Sequence, residues 1–223
     1  AVWAKASTTV TANTTDTTDP NGTNTAEKLT TSATGTAYVN YGTLISFTQG
    51  GTYTWSMYAK AGTASCFALN IQPAYGDRVS AEYNLSTGTV IGGAVPGGTT
   101  TTLVGCGMDA VGNGWYRCWL TATTAAGSGY TYFGPINTIT TPSTDPFTST
   151  SGNTCYVWGA QLNNGGLTTY VQTTTAASSN DWTTNNISVS AGTTYDSMVD
   201  VPGIAAVSSQ ADVGGVTRGN YAT

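Results

Sequence analysis

Residues 115–121 read Trp-Tyr-Arg-Cys-Trp-Leu-Thr, and a period of two divides them into chemically different sets. Tyr116, Cys118 and Leu120 fall on one face of a strand, and Trp115, Arg117 and Trp119 on the other. If the first set faces a core, two indoles and a guanidinium stand together on the opposite side. Aromatic rings offer apolar C–H stacking surface to sugar rings, while Arg, Gln and Asn can hydrogen-bond hydroxyls. Tyr58 and Lys60, Asn70 and Gln72, and Gln161 could share that face. Trp115 can equally pack beneath a loop, and Trp119 beneath a loop or a neighbouring subunit. Tyr156 and Trp158 share parity with Ala160 and Leu162, and are expected in the core.

Other chemistries are poorly supplied. Histidine is absent, which removes Ser-His-Asp and Cys-His nucleophiles and nearly every catalytic zinc arrangement. The glutamates are Glu27 and Glu82 alone, and the aspartates are dispersed. The expectation is a protein that is not an enzyme, with a two-carboxylate glycosidase using Glu82 as the remaining catalytic alternative. Net charge is −5, and the six basic residues Lys5, Lys28, Lys60, Arg78, Arg117 and Arg218 form no patch, so a nucleic-acid partner is not expected. No apolar run approaches the roughly 18 residues of a membrane-spanning helix, and a membrane partner is not expected either.

The elements that must position these side chains read as strands. Charged residues are 8% of the chain, against roughly 25% in ordinary soluble domains, and about one residue in five is threonine. Thr, Val, Tyr and Trp suit pleated surface, while Gly and Asn suit turns. In 53–60 the odd positions Tyr53, Trp55, Met57 and Ala59 are apolar, and Phe67, Leu69 and Ile71 continue that pattern. Further strands are predicted near 81–85, 97–106, 115–124, 129–139 and 154–163. Turn signals every 8–14 residues imply an all-β sandwich or jelly roll. Beyond a small, polar linker at 173–180, large apolar residues are few. The prediction is therefore one domain over 1–175 and a short, poorly cored annex over 176–223, within what reads as a piece of a longer chain.

Gly112-Asn113-Gly114-Trp115-Tyr116-Arg117-Cys118-Trp119-Leu120, followed by Tyr156-Val157-Trp158-Gly159-Ala160-Gln161-Leu162, resembles the paired strand signatures of jelly-roll modules in bacteriophage tail and head-fibre proteins. Pro20 to Leu29 resembles the opening of such modules, and Tyr195 to Pro202 with Gly219 to Thr223 resembles a fibre connector. Those modules look like carbohydrate-binding modules. The resemblance implies a virion structural protein exposed on the particle: a fibre, tail or head-decoration protein. Its expected partners are bacterial surface polysaccharide, sister chains of a trimer or larger homo-oligomer, and other virion proteins. The ligand residues would be Trp115, Arg117, Trp119, Tyr58 and Gln161. The alternative is a purely structural assembly module with no glycan ligand. No cofactor is expected, although modules of this sort often carry a calcium ion, for which Asp16, Asp19 or Glu27 would be the ligands.

The four cysteines leave two readings open. Cys106 and Cys118 lie equidistant from residue 112, so a hairpin centred there would oppose them at disulfide distance, leaving Cys66 and Cys155 for a second bridge. The other reading is buried free thiols packing as small hydrophobes.

Overall fold

A computed structural model describes residues 3–172, so the predicted annex over 176–223 lies outside the described residues. The described chain is all-β, with strands β1 (Trp3–Ala6), β2 (Thr8–Thr11), β3 (Glu27–Thr31), β4 (Gly35–Thr36), β5 (Tyr38–Tyr41), β6 (Ile45–Phe47), β7 (Thr52–Ala61), β8 (Cys66–Ala74), β9 (Asp77–Asn84), β10 (Thr89–Ala94), β11 (Thr102–Gly112), β12 (Trp115–Thr123), β13 (Gly127–Ile136), β14 (Thr148–Ser149) and β15 (Thr154–Asn164). Six strands form one antiparallel sheet in the order β11-β12-β7-β15-β3-β2. A second sheet runs β1-β5-β13-β8-β9-β10, with β6 also pairing with β13.

The two sheets share one core, which makes the domain a β-sandwich. The six-stranded sheet contributes Leu29, Trp55, Met57, Ala59, Cys118, Leu120, Cys155 and Val157; the other contributes Val39, Phe67, Leu69, Ile71, Val79, Ala81, Tyr83 and Phe133. These are the apolar positions of the alternation in β7, β8 and β12, and each large side chain buried there contributes roughly 1.5–3 kcal/mol. Among the described residues, two hydrogen bonds cross the interior. The buried Tyr83 hydroxyl donates to the Trp119 carbonyl at 2.6 Å, and Trp55 Nε1 donates to the Tyr132 carbonyl at 3.3 Å. Each gives a buried polar group a partner on the facing sheet.

The β11–β12 hairpin turns on Asn113-Gly114, both with positive φ (53° and 77°), as the two-residue turn favoured between twisted strands requires. That centre differs from the one expected at residue 112. An irregularity between Ala110 and Gly112 then shifts the register again, so that Cys106 opposes Leu120 and Cys118 opposes Met108. The expected Cys106–Cys118 bridge does not form. Cys66 lies with Ala68, Ile136 and Phe147 on the outer side of its sheet, whereas Cys155 is in the central core, so the second expected bridge is excluded by their opposite faces. All four cysteines are free thiols. Burial pushes the Cys118 and Cys155 thiols well above the usual range, which suits packing and not reactivity.

Candidate functional site

The strand register of the six-stranded sheet arranges its outer face in rows. Arg117 pairs with Tyr58 and Tyr58 with Trp158; one row along, Trp119 pairs with Ser56 and Ser56 with Gln161. Trp115 and Lys60 occupy the row on the other side of Arg117. The five residues expected to meet ligand therefore do share a sheet face. Asn70 and Gln72 cannot join them, because β8 belongs to the other sheet.

Trp158 reaches this face because of a bulge. Between Trp158 and Gln161 the β15–β7 register shifts by one residue, and Gly159 within it has φ +63°, a left-handed conformation that glycine adopts without penalty. The parity of β15 inverts there. Cys155 and Val157 face the core before the bulge, Ala160 and Leu162 pack against the core after it, and Tyr156 and Trp158 turn outward. Tyr156 and Trp158 are thus not part of the core between the sheets; Trp158 is buried instead in a separate cluster with Ala26 and Trp115, against which Tyr156 packs. Trp158 is still well covered, by Tyr58 at 5.3 Å between ring centroids and Tyr170 at 4.8 Å, with its indole N–H donated to Thr25 Oγ1 at 3.0 Å.

Together these rings make one wall of a cleft of about 530 Å³, lined by Tyr58, Arg117, Trp158 and Tyr170 and rimmed by Asn21 and Thr168. The volume lies within the roughly 300–1,000 Å³ of small-ligand sites. The Arg117 guanidinium stands over the Tyr58 ring, 5.7 Å from its centroid, a cation–π arrangement that fixes its plane. It donates from Nη2 to Ser56 Oγ at 3.2 Å, while its buried Nε has no acceptor among the described residues. Burial pushes the Tyr170 phenol up, helped by the neighbouring Tyr58 and opposed by Arg117, so the hydroxyl stays a neutral donor.

Two segments close the cleft. On one side the loop before β3 is organised by Asp19, which is 2% exposed. Burial alone would raise its pKa, but hydrogen bonds from Thr23, Thr25 and Asn21 outweigh that and hold the carboxyl at about 2. On the other side the chain after β15 folds back. Gln161 clamps it, donating from Nε2 to Thr168 Oγ1 at 3.0 Å and to the Thr169 carbonyl at 3.3 Å, and accepting from the Val171 N–H at 2.9 Å.

These contacts revise several predicted roles. Gln161 holds Tyr170 in place instead of offering its amide to a ligand. Trp115 is 1% exposed beneath the Asp19 loop, donating to the Thr18 carbonyl at 2.9 Å, so it supports that loop and offers no stacking surface. Trp119 is half-buried outside the cleft lining, its indole laid over Gly105 and Gly107 of β11. Arg117 and Tyr58 line the cleft. Of the carboxylates named for calcium, Asp19 accepts hydrogen bonds from its own loop and Asp16 pairs with Lys28 at 2.7 Å. No three His, Cys, Asp or Glu side chains converge on a metal position among the described residues. Glu82 lies on β9, in the other sheet and fully buried, away from this cleft.

Tyr170 and Trp158 were not among the predicted ligand residues. A glycine inside the strand pattern at 159 is the signal that a bulge could invert parity; nothing local marks Tyr170, which arrives through a chain reversal. Neither protein-family models nor curated proteins give a match to the sequence.

Proposed function

We propose that this chain is a virion structural protein, of a bacteriophage fibre, tail or head decoration, that adheres to bacterial surface glycans through the cleft on its six-stranded sheet. The observation that carries the reading is the convergence of Tyr58, Trp158 and Tyr170 with Arg117 in a cleft of small-ligand size. Aromatic edges and faces there suit the apolar C–H surfaces of a sugar ring, and the lining residues Tyr170 and Asn21 supply polar groups. The segments 112–120 and 156–162, which resemble strands of fibre modules, suggest the setting. The test is an array of bacterial surface polysaccharides, probed with the intact protein and with Tyr170→Ala, folding of both being checked by circular dichroism. Binding that the variant loses supports the reading, and silence from the folded wild-type chain refutes it.

A second reading has its own observation. Among the described residues β11 is an edge strand, with Val104 60% and Val111 41% exposed, and unpaired apolar edges invite pairing with another chain. In that reading sister chains cover β11 and the glycan array stays silent. Light scattering would then find an oligomer that charged residues at Val104 and Val111 dissociate.

A further inference from the structure

We infer that the cleft selects an acidic saccharide, with a sugar carboxylate seated on the Arg117 guanidinium and the apolar face of the sugar against the Tyr58 and Tyr170 rings; the inference rests on the glycan-binding reading above. The argument begins with where the positive charges go. Lys28 is paired with Asp16 at 2.7 Å, Arg78 with Asp145 at 3.6 Å, and Lys60 donates to Thr17 Oγ1 at 3.0 Å. Arg117 lines the cleft and forms no ion pair with any carboxylate among the described residues. Asp109 is its partner in the β11–β12 ladder, yet the two side chains do not pair. Asp19, next to the lining residue Pro20, is turned into its own loop and saturated by donors.

Arg117 therefore presents charge that nothing described neutralises and a buried Nε–H that nothing described accepts. Nε itself is shielded from solvent, so a ligand in the cleft meets the guanidinium through its terminal nitrogens, of which Nη2 also donates to Ser56 Oγ. A neutral sugar hydroxyl there would satisfy a hydrogen bond alone. A carboxylate satisfies the bond and the charge, and it matches the planar fork of a guanidinium whose orientation is already set over Tyr58. The field of the rest of the molecule works against this preference. At a net charge of −5 the chain as a whole repels polyanions, so any preference for acidic glycans must arise locally.

The experiment is a comparison of acidic polysaccharides with their carboxyl-reduced forms, in which each –COO⁻ has become –CH₂OH and the sugar backbone is unchanged. Immobilised uronate- and sialate-containing glycans, each with its reduced counterpart, are probed with the wild type, Arg117→Gln, Arg117→Lys and, as a control at an exposed hairpin tip, Tyr75→Ala. The acidic form should bind at least about tenfold more tightly than its reduced form. Arg117→Gln should erase that ratio, Arg117→Lys should retain part of it, and Tyr75→Ala should leave it intact. Equal binding of acidic and reduced forms overturns the inference while leaving glycan adhesion standing, as does a ratio that survives in a folded Arg117→Gln. No binding to any glycan by the folded wild type overturns both.

Discussion

Glu82 should make this protein less stable at neutral pH than in mild acid, and Glu82→Gln should abolish that loss. The side chain lies on the outer face of the seven-stranded sheet, is 0% exposed, and neither carboxylate oxygen has a hydrogen-bond partner among the described residues. The segment between β13 and β14 covers it. Pro142 sits against Gly92, the residue opposite Glu82, and Arg78 anchors the segment by donating from Nε to the Thr144 carbonyl at 2.7 Å and pairing with Asp145. Burial pushes the Glu82 carboxyl from 4.5 up to about 8; the Ser143 backbone N–H offsets part of the rise without reaching normal hydrogen-bond geometry. At pH 7 the folded chain thus holds a proton that the unfolded chain has released. Because the native state binds more protons between about 4.5 and 8, stability falls as pH rises through that window. From pH 4.5 to pH 7 the loss from this one group reaches about 3 kcal/mol. Gln cannot ionise, so its own desolvation cost is the same at every pH. Urea melts followed by tryptophan fluorescence at pH 4.5, 6 and 7 measure the difference between the two proteins. The stability of Glu82→Gln relative to wild type should climb by about 3 kcal/mol across the series. Parallel pH dependences in the two proteins would refute the reasoning and mean that Glu82 is ionised and paired in the native state.

Asp19 acts in the opposite sense. Its carboxyl is held at about 2 against an ordinary 3.8, so its contribution is fully present above about pH 4 and is lost as pH falls through 2. Asp19→Asn should cost about 2 kcal/mol at pH 7 and nothing near pH 1.5, measured by urea melts. Gly159→Ala forces alanine into a left-handed φ and places its Cβ 2.9 Å from Tyr58 and 3.0 Å from Tyr170; a loss of about 1–3 kcal/mol is expected, with altered fluorescence from Trp158. A stability unchanged from wild type would show that the bulge is not formed. For the thiols, a thiol-reactive dye should label half-buried Cys106 in the native protein and reach Cys66, Cys118 and Cys155 only after denaturation. Intact mass under non-reducing conditions should equal that of the fully reduced chain, and a deficit of two hydrogens would contradict the register.

What the sequence determined was the face of each regular strand. The alternation in β7, β8 and β12 names the core residues, because side chains of a strand leave its two sides in turn, and it puts Tyr58 and Arg117 on a common outer face. Composition and turn residues determined the all-β class for a related reason: so many β-branched residues between Gly and Asn turns leave few alternatives. What only the tertiary structure decided depends on single-residue slips and on chain reversals. The turn at Asn113-Gly114, together with the slip between Ala110 and Gly112, leaves Cys106 opposite Leu120 and Cys118 opposite Met108, and the slip at Gly159 turns Trp158 outward; each slip inverts the side-chain pattern beyond it, and each is set by the partner strand. The burial of Trp115 under the Asp19 loop, and the use of Gln161 to pin Tyr170, join residues far apart along the chain. No local pattern encodes them, because the hydrogen bonds that reward them exist only once the sheets have assembled.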